Sequence, residues 1–200
     1  MVNLPVVCFT EELNDMPFIR PAEDKDIAGI EYVCRMTAGP DSRAIEEVGR
    51  KMSLTYSTYY ARAEQETSFV LDDNGKVAGY ILCAPDCSRY IKGFHRNEIP
   101  QIWKIDKKHC AFAYLMPLGY LPFKSKYPAH LHIDLLEEYQ SKGYGSQMIR
   151  TLIDKLKSMG LPGVMLIVDQ TNTGAQRFYE RAGFKKIISA FGGVVMGMEL

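Results

Sequence analysis

The sequence predicts an α/β protein in which a mixed β-sheet is flanked by helices. Three observations predict it. Residues 129–136 form an apolar run that feeds a turn holding Gly143 and Gly145, and an amphipathic helical pattern follows over 147–159. Residues 164–168 are a short, wholly apolar run of the kind found in parallel strands. Strand-like and helix-like segments alternate along the chain, in the order β-α-α-β-β-helical insert-β-β-α-β-α-β-β.

Each element has a local reason. Residues 1–15 read as irregular and 16–20 as a first strand. Pro21-Ala22-Glu23-Asp24 has the proline and acidic residues of a first helical turn, and Ile27, Ile30, Val33 and Cys34 give that helix a buried stripe up to Gly39-Pro40. From Asp41 or Ser42 a second helix is expected, with Ile45, Val48, Met52 and Tyr59 recurring at helical steps. Its end, Tyr56 to Tyr60, is rich in tyrosine. Residues 68–71 and 76–84 form a hairpin about Asp73-Asn74-Gly75, and the second arm is apolar on both faces, as a central strand is. Residues 86–110 read as helix broken near Pro100, and 111–115 as a strand. Residues 116–128 are expected to be a long loop able to shape a substrate pocket. After the strand at 129–136 and its helix, Gly160-Leu161-Pro162-Gly163 is a stop, Asn172 or Thr173 caps a last helix ending at Gly183, and 184–189 and 194–199 close the chain as a hairpin around Gly192-Gly193.

Composition narrows the class. Two hundred residues suit one domain, spanning 1–200, with a sizeable core. Lys+Arg and Asp+Glu balance at 24 each, so no general charge favours nucleic acid, and the basic run at 104–109 reads as a solvated helix end. No apolar run is long enough to cross a bilayer, and the first residues lack a basic n-region and a full apolar core, so neither membrane nor export signal is expected. The five cysteines, at 8, 34, 83, 87 and 110, are scattered and odd in number, without zinc spacing. They read as free thiols in a reducing compartment, the cytoplasm, with no metal site. Cys110 beside His109 is the one pair suggestive of a nucleophile, but neighbours on a strand point apart.

The chemistry is expected at the turn. A strand that feeds a glycine-rich turn and opens a helix gathers free N–H groups and the positive end of a helix dipole, which together bind phosphate. Gly143 and Gly145 let a ligand approach the main chain, and Lys142 adds a cation. A Walker loop is excluded because no Gly-Lys-Ser/Thr ends the turn; a dinucleotide fingerprint is excluded because Met148 stands where its third glycine belongs. What is left, Gln140-x-x-Gly143-x-Gly145, is open to a purely structural reading on its own.

A second stretch joins it: Asn172-Thr173-Gly174-Ala175-Gln176-Arg177-Phe178-Tyr179-Glu180-Arg181-Ala182-Gly183-Phe184. Together, in this order and at this separation, the two motifs resemble the signatures of the GCN5-related N-acetyltransferases, and the resemblance covers residues from about Phe18 onward. The approach Ala129-His130-Leu131-His132-Ile133-Asp134 is also similar to the acetyltransferase-like C-terminal region of O-GlcNAc-removing hydrolases and its stand-alone bacterial relatives. The resemblance implies an acyl-CoA N-acyltransferase fold whose sheet is splayed between the strands at 129–136 and 164–168. It implies acetyl-CoA as acetyl donor, its pyrophosphate on Lys142, Gly143, Tyr144, Gly145 and Ser146 after Gln140. Main-chain groups from Ile133 to Leu135 would pair with the pantetheine, with Leu135 N–H as oxyanion donor. Asn172 would contact the cofactor arm, and Tyr179 would protonate the leaving thiolate.

The base is not singled out. His130, His132 and Asp134 alternate along one strand, so on a regular strand they share a face. They form either a catalytic or substrate-binding cluster or a hydrogen-bonded polar seam, and a bulge would change which of them faces the cleft. The expected partners are acetyl-CoA and an amine: small amine, amino acid, aminosugar, peptide or protein lysine. The alternative is an acetyltransferase-like domain of little or no activity that binds acetyl-CoA or a partner protein.

Overall fold

The computed structural model describes residues 16–190 and 192–200. The expectations for residues 1–15 and for Cys8 lie outside them, as does Phe191. Seven strands form one sheet in the order β1-β2-β3-β4-β5-β7-β6. They are β1 (Phe18–Pro21), β2 (Phe69–Asp73), β3 (Lys76–Ala84), β4 (Ala129–Leu135), β5 (Gly163–Asp169), β6 (Lys185–Ala190) and β7 (Gly193–Glu199). β4 and β5 run parallel and every other neighbouring pair is antiparallel.

The β2–β3 hairpin turns where the sequence predicts. Asn74 and Gly75 both take positive φ, 52° and 82°, and Gly75 N–H donates to Asp72. This suits the twist of the two arms. Helix α1 (Ile27–Thr37) is entered through a short 3-10 turn with a capping box between Glu23 and Asp26. Arg20 donates to both Asp26 oxygens at 2.6 and 2.7 Å and to Asp72 at 2.7 Å, tying β1, β2 and the start of α1 together. All three side chains are largely buried, so the guanidinium satisfies two carboxylates that would otherwise lie uncompensated.

Three expectations need correction. The helix expected from residue 41 is three: α2 (Pro40–Ala44), α3 (Glu46–Tyr56) and α4 (Thr58–Ala63). Ile45 is extended and half exposed, and Arg35 donates to the carbonyls of Ser42 and Arg43 that a continuing helix would have used. The strand expected at 111–115 is helix. After α5 (Cys87–Asn97) and α6 (Ile99–Ile105), Asp106 accepts from the N–H groups of Lys108 and His109 and nucleates α7 (Lys107–Leu115). Its buried residues, Cys110 and Ala113, are three apart, a helical rather than a strand period. The loop expected from 116 is ordered as a 3-10 helix over Met116–Phe123, with Pro117 and Tyr120 buried at the three-residue spacing that such a helix stacks.

Both faces of the sheet are covered. Helices α1, α3, α4 and α5 pack a tyrosine-rich core on one side, with Tyr60, Tyr80, Tyr90 and Tyr120 buried in it. Helices α8 (Tyr144–Ser158) and α9 (Thr173–Arg181) cover the other, where Met148, Ile149, Leu152 and Leu156 meet Leu131 and Val164.

Candidate active site

The site begins with a gap in the sheet. β4 is paired with β3 from His130 opposite Ala84 to Leu135 opposite Gly79, with no register shift. The bulge considered for this strand is therefore absent on the β3 side. β5, in contrast, pairs with β4 only at Ala129–Val164 and His130–Met165, although both strands continue. Leu136 N–H donates to Ala78 O, so Leu136 and, by alternation, Asp134 and His132 turn their main-chain groups toward β3. Leu131, Ile133 and Leu135 then turn theirs into the gap. The Gln140 amide donates to Leu135 O at 2.8 Å, anchoring the following turn to the end of β4.

The turn sits at the mouth of this gap. Ser141 and Gly143 have φ of 59° and 87°, and Gly143 precedes α8 in the left-handed conformation. Only glycine adopts that geometry freely, and it aims the N–H groups at the start of α8, those of Tyr144, Gly145 and Ser146, outward. Gly145 has a further reason. A Cβ there would lie 3.2 Å from the Phe178 ring and 3.4 Å from Leu135, so the start of α8 packs closely on the Phe178 side chain of α9. Phe178 and Gly145, one from each sequence motif, are a packing pair. Lys142 Nζ lies 5.9 Å from the centre of the Tyr139 ring. Asn172 caps α9 by accepting from Ala175 N–H at 3.0 Å, so its carbonyl oxygen has a structural partner.

On the β4 face opposite α8, the three alternating polar residues share one side as expected, but their surroundings divide them. His130 is fully buried. The Tyr60 hydroxyl lies 2.8 Å from its Nε2 and Cys87 Sγ 3.5 Å from its Nδ1, which suits a neutral ring donating through one nitrogen and accepting at the other. Burial, then the charge of His132, drive its pKa down to about 3. Burial likewise pushes Cys87 up to about 12, which leaves an inert thiol. The structure does not bring His130 to the cleft.

His132 and Asp134 are reachable, with side chains 32% and 28% exposed. His132 Nε2 and the Tyr80 hydroxyl both meet Asp134 Oδ2, at 3.1 and 2.7 Å. Burial alone would lower the His132 pKa; the Asp134 charge and hydrogen bond, with help from Cys34, overcome it and hold the ring up to about 10. Tyr56 stacks on His132 with ring centres 5.6 Å apart. Tyr179 is buried on α9, and both burial and the Asp134 charge push its phenol well up, keeping it a proton donor.

Tyr80 is the member of this group that the sequence did not single out. Its signal is the register that sets it directly opposite Asp134, which becomes visible only once β3 and β4 are aligned. Cys110 and His109 stand on helix α7 and diverge: Cys110 Sγ reaches the Ile99 carbonyl, whereas His109 Nε2 lies 2.9 Å from Thr55 Oγ1.

Beyond His132 the gap widens into a cleft of about 960 Å³. Tyr56 and Tyr60 wall one side, Phe112 and the Met116–Phe123 segment another, and Ile167 and the β6–β7 hairpin the third. The segment expected to shape a pocket therefore lines one.

Comparison with known proteins agrees with this geometry. The model of the acetyltransferase (GNAT) family matches residues 35–184. The crystal structure of SsHAT is 31% identical, with 92% of this chain and 98% of that one covered and a TM-score of 0.83. PaiA N-acetyltransferase from Thermoplasma acidophilum, solved in complex with coenzyme A, shares the fold at 16% identity, with 92% and 99% covered and a TM-score of 0.61. Among curated sequences, an uncharacterized N-acetyltransferase of Methanocaldococcus jannaschii is 24% identical over 68% of this chain and 47% of its own length. The chain spans from a fifth to 62% of the length of the curated relatives it matches.

Proposed function

The chain belongs to the acetyltransferase (GNAT) family, and on that premise we propose that it moves an acetyl group from acetyl-CoA to an amine by direct attack on the thioester. The observation that carries this reading is the gap: a β4 edge open from Leu131 to Leu135, ending at a turn whose free N–H groups open a helix. Such an edge accepts an extended ligand as a sheet accepts another strand. The helix start suits its phosphates. Acetyl-CoA supplies an activated acyl carbon and a good leaving group.

The residues divide the remaining work. Ile133 and Leu135 hold the pantetheine through main-chain groups, and Leu135 N–H faces the position where the oxyanion develops. Lys142 to Ser146 hold the pyrophosphate. The His132–Asp134 pair meets the amine: the neutral ring accepts its proton, and the Asp134 charge sets the pH at which that form is present. As the C–N bond forms and the C–S bond breaks, Tyr179 gives the sulfur a proton. One proton is accepted and one donated, leaving an amide and a thiol. Tyr80 and Tyr56 are positioning residues for the pair.

Four buried free cysteines, at 34, 83, 87 and 110, support a reducing, cytoplasmic setting. Among the described residues no helix is long and apolar enough to cross a membrane.

The test is titration calorimetry with acetyl-CoA. Gly143→Val places a β-branched residue at φ 87° and covers the N–H cluster, so it abolishes binding in a protein that still folds. Equal affinities in the two proteins would overturn the assignment. Thiol release above background hydrolysis with an added amine separates the enzyme from a binding domain.

A further inference from the structure

The cleft beyond His132 has a chemical character of its own. Its walls are aromatic and aliphatic: Tyr56, Phe112, Tyr120, Phe123, Ile167 and Val195. Among the described residues one carboxylate lines it, Asp169, whose Oδ1 is already held by the Thr171 N–H and hydroxyl at 2.7 and 2.5 Å. His132, ion-paired at neutral pH, is the cation on the lining. Such a wall offers no row of carboxylates for a polycation. Its remaining polar groups are the hydroxyls of Thr55, Tyr56, Tyr60, Tyr90 and Tyr120, of which Thr55 and Tyr60 are already bonded to His109 and His130, so most hydroxyls of a sugar would be desolvated without compensation. An apolar body is what it stabilises.

We propose that the acceptor is a primary amine carried on an aromatic or compact aliphatic body, seated against Tyr56, Phe112, Tyr120, Phe123 and Ile167 with its nitrogen toward His132. The proposal rests on the acetyl-transfer reading above and names the substrate class of that same site. It explains two further features. A cleft of about 960 Å³ lies at the upper end for small-molecule sites, roomy enough for one or two rings beside the acyl group. Aromatic faces also receive an ammonium on entry. The apolar surroundings then lower its pKa, because burial disfavours the charged form, and so provide the neutral nitrogen the reaction requires.

Gly119 makes the proposal testable. It lies on the Met116–Phe123 segment with φ outside the left-handed region, it lines the cleft, and a Cβ there would touch Ile167 Cδ1 at 3.5 Å. Gly119→Leu therefore adds bulk to the lining beside Ile167 without backbone strain and alters none of the proposed reacting groups.

The experiment compares 2-phenylethylamine, ethylamine, spermidine, glucosamine and a lysine-containing peptide as acceptors, by thiol release and by calorimetric titration into the CoA-saturated protein. Burying one phenyl ring predicts kcat/KM and affinity for 2-phenylethylamine about 30- to 100-fold above those for ethylamine. Each polar amine is expected to fall below 2-phenylethylamine. Gly119→Leu is expected to lose 2-phenylethylamine by at least about 10-fold while keeping ethylamine turnover and acetyl-CoA affinity. Spermidine, glucosamine or the peptide binding as tightly as 2-phenylethylamine would overturn the proposal, and so would indifference of 2-phenylethylamine binding to Gly119→Leu. The titration reads the pocket whether or not transfer is seen, and failure to bind acetyl-CoA would count against the transfer reading alone.

Discussion

Lowering the pH is expected to destabilise this protein through His130 in particular. The side chain is wholly buried among Tyr60, Tyr90 and Tyr120, and its folded-state pKa is about 3 against an ordinary 6.5. The folded state thus keeps the ring neutral while the unfolded chain protonates it. Stability from this residue is complete above pH 6.5 and falls as the pH drops toward 3, by about 1.4 kcal/mol per pH unit. Between pH 7 and pH 5 the loss is about 2 kcal/mol, a factor of about 30 in the folding equilibrium. His132 works with the opposite sign: its pKa is raised, so its contribution is present below pH 6.5 and lost as the pH climbs toward 10. The assay is urea denaturation of wild type and His130→Gln at both pH values. Glutamine can bond to Tyr60 but does not titrate, so any fixed cost of the substitution cancels between the two pH values. The expected result is that wild type loses about 2 kcal/mol more than the variant on going to pH 5. Equal losses would refute the reasoning and place the acid-sensitive group elsewhere.

Two further predictions concern the reaction. Because Asp134 holds the His132 ring protonated up to about pH 10, the rate should rise with pH into the alkaline range, and Asp134→Asn should move that limb toward neutral or below as burial takes over; an unmoved limb in a kcat/KM profile would exclude His132 as the titrating group. Tyr179→Phe should lower kcat by on the order of 10²–10⁴ with little change in acetyl-CoA affinity, and unchanged turnover with a good acceptor would return Tyr179 to a packing role.

The parts legible in the sequence were those whose information is local. The β2–β3 hairpin, the strand–turn–helix around Gly143 and the Asn172 cap are written in neighbouring residues, and they appear where expected. The misread segments depended on distant partners. Residues 111–115 carry bulky apolar side chains that suit a strand, but the Asp106 cap and the interior neighbours of Cys110 and Ala113 impose a helix. The helix from 40 breaks because Arg35, several residues earlier, claims its last carbonyls. At the site, alternation showed that His130, His132 and Asp134 share a face, but not that His130 is sealed by tyrosines from three other elements while His132 lines the cleft with Asp134 paired beside it. Gly145 was read as letting a ligand approach the main chain, and its packing against Phe178 was not legible, since Phe178 lies more than thirty positions away in sequence.

The split in the sheet has a mechanical consequence as well. β1–β4 and β5–β7 are joined in hydrogen bonding by two residue pairs near one end, and the rest of the seam is held by side chains from α8, α9 and the tyrosine-rich face. A donor lying along β4, as proposed, would act as a removable brace and tie the molecule's durability to the supply of that donor. At a concentration a hundred times its dissociation constant such a brace adds about 2.7 kcal/mol. Scarcity of acetyl donor would shorten the lifetime of the protein as well as slow its turnover, and the half-life under limited proteolysis, with and without acetyl-CoA, reads that coupling directly.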